Sequence, residues 1–421
     1  HSDHRRQRQM CIRDRSRRML ERAKAVIPRG IFGHYGFSVR AGNPNFFSRA
    51  SGSRFWDIDG NEYVDMMCAY GPMILGYNHP KVDEAAHKQY QRGNTVSLAG
   101  SVMVELAEKL VDTVTGMDWA LFGKNGGDAT TLSAMIARSA TGRDKILKID
   151  DGYHGVTAWM QDSRPGTIEA DRESVISIPW DNIEAFENAI KENPDQIACF
   201  ISSPYDHPVF RDNEMPSPDY WPLVERICRK NGIVLILDDV RAGFRINLSG
   251  SHKHFGFKPD LICFGKAMAN GYPISALMGT EEMKREAQKV FYTGTQFFNA
   301  SPMAAAKATI ELLLESDAAN LMTDIGNKMN AALGSVAESN GFKLVTSGIP
   351  AMPYYRIDGV STDTHFAWVD ECVQRGLYLL GHHNHFVSTA HSSADIERAC
   401  EIADAAFKAI VENGQISLKT A

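Results

Sequence analysis

The stretch Leu261-Ile-Cys-Phe-Gly-Lys-Ala-Met-Ala-Asn-Gly-Tyr-Pro273 contains a lysine, Lys266, directly after a glycine and a short apolar run. Such a run predicts a short buried strand, and the lysine would lie where this strand passes into a loop. Partial burial there disfavours the ammonium form and leaves an amine that is nucleophilic near neutral pH. A lone Gly-Lys pair also fits a solvated lysine at a strand end, so neighbouring segments must decide between the two interpretations.

A second apolar run, Ile233-Val-Leu-Ile-Leu237, ends on two aspartates, Asp238 and Asp239. Such an unbroken run is typical of a buried parallel strand, and ligands in open α/β sheets bind at the carboxyl ends of these strands. An aspartate at that place can pair with the protonated ring nitrogen of pyridoxal phosphate and keep the ring an electron sink. The two aspartates could instead cap a helix or form ion pairs.

The segment Gly123-Lys-Asn-Gly-Gly-Asp-Ala-Thr-Thr131 places two adjacent glycines before residues 132–140, which have helical composition. Backbone amides at Gly126 and Gly127 could approach an anion closely, and the positive end of a helix dipole favours one. No Gly-Lys-Ser or Gly-Lys-Thr closes the segment, so it is not a Walker loop. Because two glycines before a helix are more often a simple turn, this signal depends on the others.

Taken in order, these segments resemble the class III aminotransferases of fold type I, and among them the glutamate-1-semialdehyde aminomutases and their aminotransferase relatives. The resemblance extends over nearly the whole chain from about residue 20, and it depends on the order and spacing of short matches. The further matches are Glu21-Arg-Ala-Lys-Ala-Val-Ile-Pro28, Trp56-Asp-Ile-Asp-Gly-Asn61, Gly71-Pro-Met-Ile-Leu-Gly-Tyr-Asn-His-Pro80, Tyr153-His-Gly155, Gly294-Thr295 and Ala390-His391.

This resemblance implies an α/β fold with two domains. The large domain, residues 71–310, would bind the cofactor pyridoxal 5′-phosphate on a mainly parallel sheet flanked by helices. Residues 19–70 and 311–421 would form the smaller α+β domain. The implied reaction is a ping-pong transfer of an amino group from an amine or amino acid to a keto acid or aldehyde, through an aldimine of Lys266. A homodimer with shared active sites is implied as well.

The resemblance also implies roles for individual residues. Lys266 would form the internal aldimine, and Asp238 would face the ring nitrogen. Tyr153 matches the aromatic residue that stacks on one face of the ring, while Val240 matches the residue on the other face. His154 would lie close to the cofactor, with a turn histidine as the alternative. The residues matched to the cofactor phosphate are Asn125, Gly126, Gly127 and, from the neighbouring subunit, Thr295.

Two departures from the aminomutase pattern favour an aminotransferase. Where aminomutases carry a glutamate near the C-terminus, the segment Leu380-Gly-His-His-Asn-His-Phe386 has His383. The N-terminal substrate-binding arginine of aminomutases has no direct counterpart, although Arg40 lies nearby at an offset. Since a guanidinium can bind a carboxylate through two hydrogen bonds, other arginines are candidates for that contact. They are Arg241, Arg245 and Arg356, with a structural ion pair as the alternative for Arg245.

Composition agrees with a large enzyme of two domains. The 421 residues exceed one ordinary core, and the formal net charge of −6 gives no reason to expect nucleic acid or an anionic membrane as a partner. No apolar run reaches the length of a membrane span. Seven cysteines are scattered without paired spacing, which favours a reducing, cytoplasmic location over a disulfide framework.

The pattern of apolar residues predicts where the main elements lie. Residues 1–18 contain seven arginines without apolar periodicity, and we expect a disordered leader there rather than a nucleic-acid-binding arm. A helix is expected to follow at residues 19–26, and a hairpin at residues 55–66 with Asp59-Gly60-Asn61 as its turn. Strand and helix patterns then alternate over residues 101–279, as a mainly parallel sheet requires.

Three other functions stay open at this point. The aminomutase reaction is the alternative within the enzymes. His382, His383 and His385 could ligate a metal, although no cysteine or carboxylate joins them at ligand spacing. A cofactor-binding protein without turnover is the third, but mere binding would not need both Lys266 and Asp238.

Overall fold

The computed structural model describes residues 14–40, 42–161 and 165–417, in which strands and helices alternate through the middle of the chain. The strands are β1 (Phe47–Ser51), β2 (Arg54–Asp57), β3 (Glu62–Asp65), β4 (Trp119–Gly123), β5 (Lys145–Ile149), β6 (Val175–Ile178), β7 (Ile197–Ser202), β8 (Val234–Asp238), β9 (Leu261–Phe264), β10 (Ser275–Gly279), β11 (Leu344–Ser347), β12 (Tyr354–Ile357) and β13 (Leu377–Tyr378). The helices are α1 (Asp14–Val26), α2 (Pro80–Arg92), α3 (Ser101–Thr113), α4 (Gly126–Thr141), α5 (Ile183–Glu192), α6 (Tyr220–Asn231), α7 (Ser251–Phe255), α8 (Glu281–Ala287), α9 (Ala300–Glu315), α10 (Ala318–Ser339), α11 (Thr362–Gln374) and α12 (Ser393–Glu412).

The central element of the described chain is a seven-stranded sheet with the strand order β4-β10-β9-β8-β7-β5-β6. Only β10 is antiparallel to its neighbours within this sheet, so β4 runs in the same direction as β9. The strand predicted at residues 233–237 is β8, shifted by one residue, and the run before Lys266 is β9. The carboxyl ends of β4, β8 and β9 therefore meet at one edge, and the predicted mainly parallel sheet is confirmed.

Both faces of this sheet are buried. On β8, Leu235 and Leu237 contribute to the apolar core on one face, while Val234 and Ile236 contribute to the core on the other. This alternation follows from the two-residue period of side chains along a strand. Helix α4 covers the second face, and the strands read as continuous apolar runs because neither face meets water.

A separate apolar core lies beside a smaller sheet, in which β1, β2, β3 and β13 are neighbours in that order. The expected hairpin is formed by β2 and β3, and β13 joins β3 in parallel. Helix α10 passes between the two cores, because Met322 packs in the large core and Met329 in the small one. The domain boundaries at residues 70 and 310 stay a prediction. Within α10, the buried side chains change from the large core to the small one.

The N-terminal helix begins earlier than the sequence predicts. Residues 1–13 of the expected leader lie outside the described residues, but residues 14–18 form the first turns of α1. The amides of Arg15 and Ser16 donate hydrogen bonds of 3.0 Å to the carboxylate of Asp59 in the hairpin turn. This carboxylate satisfies amides that a helix leaves unpaired at its N-terminus.

Among the helices that the structure describes, none combines the length and the apolar character that a membrane span needs.

Candidate active site

Lys266 lies two residues beyond the end of β9, in a tight turn. Its φ of 39° is in the left-handed region, and the turn is fixed by Asn270, whose side chain accepts the amide of Leu75 at 2.9 Å and donates to the carbonyl of Gly76 at 2.9 Å. Burial, reinforced by the charge of Arg241, lowers the pKa of the Lys266 amine to about 8, while Asp238 opposes that shift. The lysine is therefore the partly desolvated amine that the sequence predicts, and not a solvated one.

Asp238, the last residue of β8, is buried beside His154. Its Oδ2 lies 2.7 Å from His154 Nδ1, and its Oδ1 accepts the amide of Val240 at 3.2 Å. His154 is also buried, in the segment that follows β5. Its Nε2 has no hydrogen-bond partner among the residues that the structure describes. These contacts fix the orientation of the Asp238 carboxylate at the sheet edge.

Asp239 has a different role from its neighbour. Its carboxylate accepts the amide of Ser251 at 2.9 Å and the Ser251 hydroxyl at 2.6 Å, at the beginning of α7. Burial raises its pKa to about 6, against the effect of these hydrogen bonds. The helix-capping interpretation is thus correct for Asp239, whereas Asp238 remains available to a ligand.

The two glycines at the beginning of α4 lie against the Asp238 and Lys266 segments. A Cβ added at Gly126 would lie 2.7 Å from Cγ1 of Val240, and one at Gly265 would lie 3.3 Å from the same atom. A Cβ at Gly155 would come within 3.0 Å of the Cα of Gly127. The turn can therefore approach these segments so closely only because it consists of glycine.

The loop before α4 is held by a carboxylate. Asp128 accepts the amides of Lys124 at 2.9 Å and of Asn125 at 2.8 Å. Asn125 itself is exposed. This bonding uses the amides that precede the helix and leaves the Gly126 and Gly127 amides at the helix N-terminus, where an anion is favoured. The residues present thus fit a phosphate-bearing cofactor with an aldehyde, because an anion-binding turn, a buried acid and a partly neutral amine lie at one edge.

Two of the predicted cofactor residues lie on the surface of the isolated chain. Tyr153, next to His154, has 62% of its surface exposed, and Thr295 is exposed in the turn Thr295–Phe298. The neighbouring Tyr292 donates to Asp128 Oδ1 at 3.2 Å, which places the segment before Thr295 against the beginning of α4. The fold therefore brings most of the predicted site together within the chain, and it leaves Tyr153 and Thr295 accessible.

A cluster of aromatic rings packs around Tyr70, and the sequence did not indicate it. Tyr70 meets His34 edge-on at a ring-centroid distance of 4.5 Å, Tyr35 at 5.2 Å and His383 at 5.2 Å. Tyr70 lies in a left-handed turn, with φ of 64°. His383 is neutral, since burial and then the charge of Arg241 lower its pKa well below the usual range. The position of the aminomutase glutamate thus carries no charge here.

The candidate arginines occupy different environments. Arg40 binds Asp370 through hydrogen bonds of 2.7 to 3.1 Å. Arg356 likewise binds Asp212, through two hydrogen bonds of 3.0 Å. Arg245 is buried and donates to backbone carbonyls, and it forms no ion pair with any residue that the structure describes, although the sequence allowed one. Arg241 is the remaining candidate for a substrate carboxylate.

Arg241 is held by neutral groups from two other segments. Its Nη1 donates to His207 Nδ1 at 3.0 Å, to the His207 carbonyl at 3.1 Å and to Asn384 Oδ1 at 3.1 Å. His207 follows β7, and Asn384 lies beside His383 near the C-terminus. Neither residue could be identified from the sequence, because neither belongs to a local motif.

The three histidines near the C-terminus face different neighbours. The ring of His382 stacks on Phe210, while His385 accepts the amide of Leu380 at 3.3 Å. His383 Nδ1 lies 2.7 Å from the carbonyl of Asn384. Among the described residues, no three histidine, cysteine or acidic side chains converge as metal ligands would.

Comparison with known proteins identifies the family. Residues 37–406 match the model of the aminotransferase class-III family. The chain belongs to the class III aminotransferases. Aminotransferases of this class bind pyridoxal 5′-phosphate, so the cofactor, the fold type I architecture and the enzyme class predicted from the sequence are confirmed.

Curated relatives and solved structures agree with this assignment. An aminopentol aminotransferase from Sphingopyxis macrogoltabida is 36% identical over 95% of both chains. A 3-aminobutyryl-CoA aminotransferase from Cloacimonas acidaminovorans is 34% identical over 92% of this chain and 95% of its own. The FumI protein of Sphingopyxis sp. MTA144, solved in its PLP internal aldimine form, superimposes with a TM-score of 0.92 at 36% identity, covering 96% of this chain and 98% of FumI.

Proposed function

We propose that Lys266 is the catalytic lysine of a ping-pong amino transfer from an amine or amino acid donor to a keto acid or aldehyde acceptor. The observation that carries this proposal is the meeting of Lys266 and Asp238 at one sheet edge. The amine has a pKa lowered to about 8, and the carboxylate is fixed by His154 at 2.7 Å. A protein that merely bound the cofactor would need neither a partly neutral amine nor an oriented acid.

Different residues of the site would bind different parts of the cofactor. Asp238 would pair with the ring nitrogen, Val240 and Tyr153 would flank the ring, and the amides at Gly126 and Gly127 would bind the phosphate with Asn125 beside them. When bound, pyridoxal phosphate supplies an electron sink for the electrons released at the carbon that bears the amino group.

Lys266 then acts as the proton carrier. Its Nζ, neutral in a substantial fraction of molecules near pH 8, accepts the proton from the carbon that bears the amino group and later donates it again. Burial supports this role because it disfavours the charged amine. The donor is identified by mixing the holoenzyme with candidate amines and monitoring the loss of the yellow cofactor absorbance. If no amine of any class changed this absorbance, the proposal would be refuted.

Intermolecular transfer is favoured over the aminomutase reaction. His383, at the position of the aminomutase glutamate, is neutral, and Arg40 is already bound to Asp370. The two aminotransferase relatives are 34% and 36% identical, whereas a glutamate-1-semialdehyde 2,1-aminomutase from Syntrophobacter fumaroxidans is 29% identical over 95% of this chain.

Glutamate-1-semialdehyde supplied alone is expected to give no sustained formation of 5-aminolevulinate. An aminomutase returns the amino group to its own substrate, whereas an aminotransferase stops in the aminated form until an acceptor arrives. Turnover of a suitable amine donor should therefore require an acceptor such as pyruvate, and initial rates should follow ping-pong kinetics. Efficient formation of 5-aminolevulinate without an acceptor would make the aminomutase reaction the correct one.

We further propose a cytoplasmic homodimer whose active sites are shared. Large exposed apolar side chains, of the type that interfaces cover, include Val96 (61%), Leu98 (80%) and Phe291 (85%). The segment before Val96 contacts the segment after Thr295, since the Asn94 carbonyl accepts the amide of Ala300 at 2.9 Å. Thr295 is exposed in the turn that precedes Ala300. The described cysteines are free thiols, which agrees with a reducing compartment.

Thr295→Ala is expected to weaken cofactor binding without abolishing the reaction. A hydrogen bond from a hydroxyl to a phosphate is charge-assisted, and its loss corresponds to roughly 10- to 100-fold in affinity. The measurement is the cofactor dissociation constant of the dialysed protein, together with sedimentation velocity. Thr362→Ala, which changes an exposed threonine at the beginning of α11, serves as the control and should leave that constant unchanged. A fully active monomer would contradict the shared site.

A further inference from the structure

We propose that Arg241 and His207 together form a specificity site for the carboxylate of the acceptor, so that keto acids are preferred to aldehydes of the same size. This inference rests on the proposed function, because it concerns the acceptor of the same amino transfer. His207 lies in the turn after β7 and Arg241 in the turn after β8, and both would contact the acceptor carboxylate.

The first observation is a guanidinium without an acidic partner. The hydrogen bonds of Arg241 run from Nη1 to His207 and Asn384, and all of their acceptors are neutral. The nearby acid Asp206 already pairs with Arg211 at 2.9 Å. Among the described residues, Arg241 forms no salt bridge, and its Nε and Nη2 donate no hydrogen bond. Since burying a charge without a counter-charge is costly, an anion that binds here is favoured.

The second observation is the tautomer of His207. A guanidinium always carries its protons, so Arg241 Nη1 must donate and His207 Nδ1 must accept. Burial and the charge of Arg241 lower the pKa of His207 well below its usual range, and the imidazole is therefore neutral with its proton on Nε2. That Nε2–H group is buried and has no acceptor in the described part of the chain. It is thus a second donor that lacks an oxygen.

Both donors lie close enough to Lys266 to sense its charge. The Lys266 ammonium lowers the pKa of His207, and Arg241 lowers that of Lys266. Arg241 and His207 therefore lie near the reacting amine. A keto acid carries its carboxylate directly beside the carbonyl that reacts, so its two oxygens can accept from the free guanidinium N–H groups and from His207 Nε2.

Burial lowers the pKa of Arg241, and the charge of Asp238 opposes that shift without forming an ion pair with the guanidinium in the described part of the chain. Asp238 is bonded to His154, and Asp239 is turned towards Ser251. Arg245 adds a further positive charge, and it is occupied by backbone carbonyls. His383 and Tyr70 contribute neutral rings. The combination of positive charge with directed N–H donors selects a carboxylate over a neutral aldehyde.

The test compares propionate with propionamide, its neutral analogue, in ligand-observed NMR titrations of the holoenzyme. Propionate should bind to the wild type, and Arg241→Gln should weaken this binding about 10- to 100-fold, the range for charge-assisted hydrogen bonds. His207→Phe should weaken it about 3- to 10-fold, and His207→Gln, which restores an N–H donor, should recover part of the loss. Arg356→Gln is the matched control, since Arg356 is bound to Asp212, and it should behave like the wild type.

Kinetics with pyruvate and propanal provide the second arm. Arg241→Gln should raise the KM for pyruvate and leave the KM for propanal within about twofold. Equal binding of propionate and propionamide to the wild type, or an equal loss for both acceptors in Arg241→Gln, would overturn the carboxylate site. If no acceptor of any class supported amino transfer, the proposed function would fail, and the NMR titration would still decide whether the site binds carboxylates.

Discussion

Replacing Lys266 with alanine is expected to abolish turnover while part of the cofactor remains bound through its phosphate. Loss of a general acid–base group alone costs about 10²- to 10⁴-fold, and this variant also loses the covalent attachment. The fold should persist, because the lysine is only partly buried and Asn270 fixes its turn through hydrogen bonds of 2.9 Å. Steady-state turnover and the cofactor retained after gel filtration measure the two effects separately.

Borohydride reduction tests the identity of the lysine directly. In the wild type, mass spectrometry should find the reduced cofactor on the peptide that contains Lys266. Lys124 provides a control, since its pKa is also lowered by burial and its amine donates to the carbonyl of Pro273 near the same turn. Lys124→Ala should keep the label on Lys266. Recovery of the label on any other lysine would contradict the assignment.

The strand that leads to Lys266 and the strand that ends on Asp238 could be predicted from the sequence because both are unbroken apolar runs. Such runs are the signature of strands that are buried on both faces, and the observed β8 and β9 agree with the prediction to within one residue. The same reasoning could not decide which of Asp238 and Asp239 faces the site. That distinction depends on Ser251, which lies 12 residues later and takes the second carboxylate.

His207 and Asn384 could not be found in this way. They lie 34 and 143 residues from Arg241, and only the sheet topology and the return of the chain near its C-terminus bring them to its guanidinium. A side chain that supports another across such a separation leaves no local pattern of residues. Sequence reasoning therefore located the Arg241 candidate and missed the two groups that hold it.

The beginning of α1 was missed for a related reason. The arginine-rich composition of residues 1–18, which has no apolar periodicity, indicates disorder. The amides of Arg15 and Ser16 instead bind Asp59, which belongs to the hairpin turn 44 and 43 residues later. A helix that is capped by a distant residue ends or begins where tertiary contacts place it.

Asp238→Asn is expected to reduce turnover by about two to three orders of magnitude and to affect folding much less. Removing one partner of a buried charge pair costs about 3–5 kcal/mol, and a neutral amide cannot stabilise a protonated ring nitrogen. The carboxylate also lies 2.7 Å from His154 Nδ1, so the variant changes the acceptor that orients this imidazole. Turnover, cofactor content and thermal unfolding are to be measured together.

Asp239→Asn is the matched control for this prediction, because it makes the same change one residue further along the chain. Both oxygens of the Asp239 carboxylate accept from Ser251, at 2.6 and 2.9 Å, so its loss should alter stability more than turnover. In Asp238→Asn, by contrast, the ring nitrogen of the bound cofactor would face an amide and could lose its proton. This loss would lower the rate without releasing the cofactor. Near-normal turnover of Asp238→Asn, with full cofactor content, would therefore mean that the electron sink does not depend on this carboxylate.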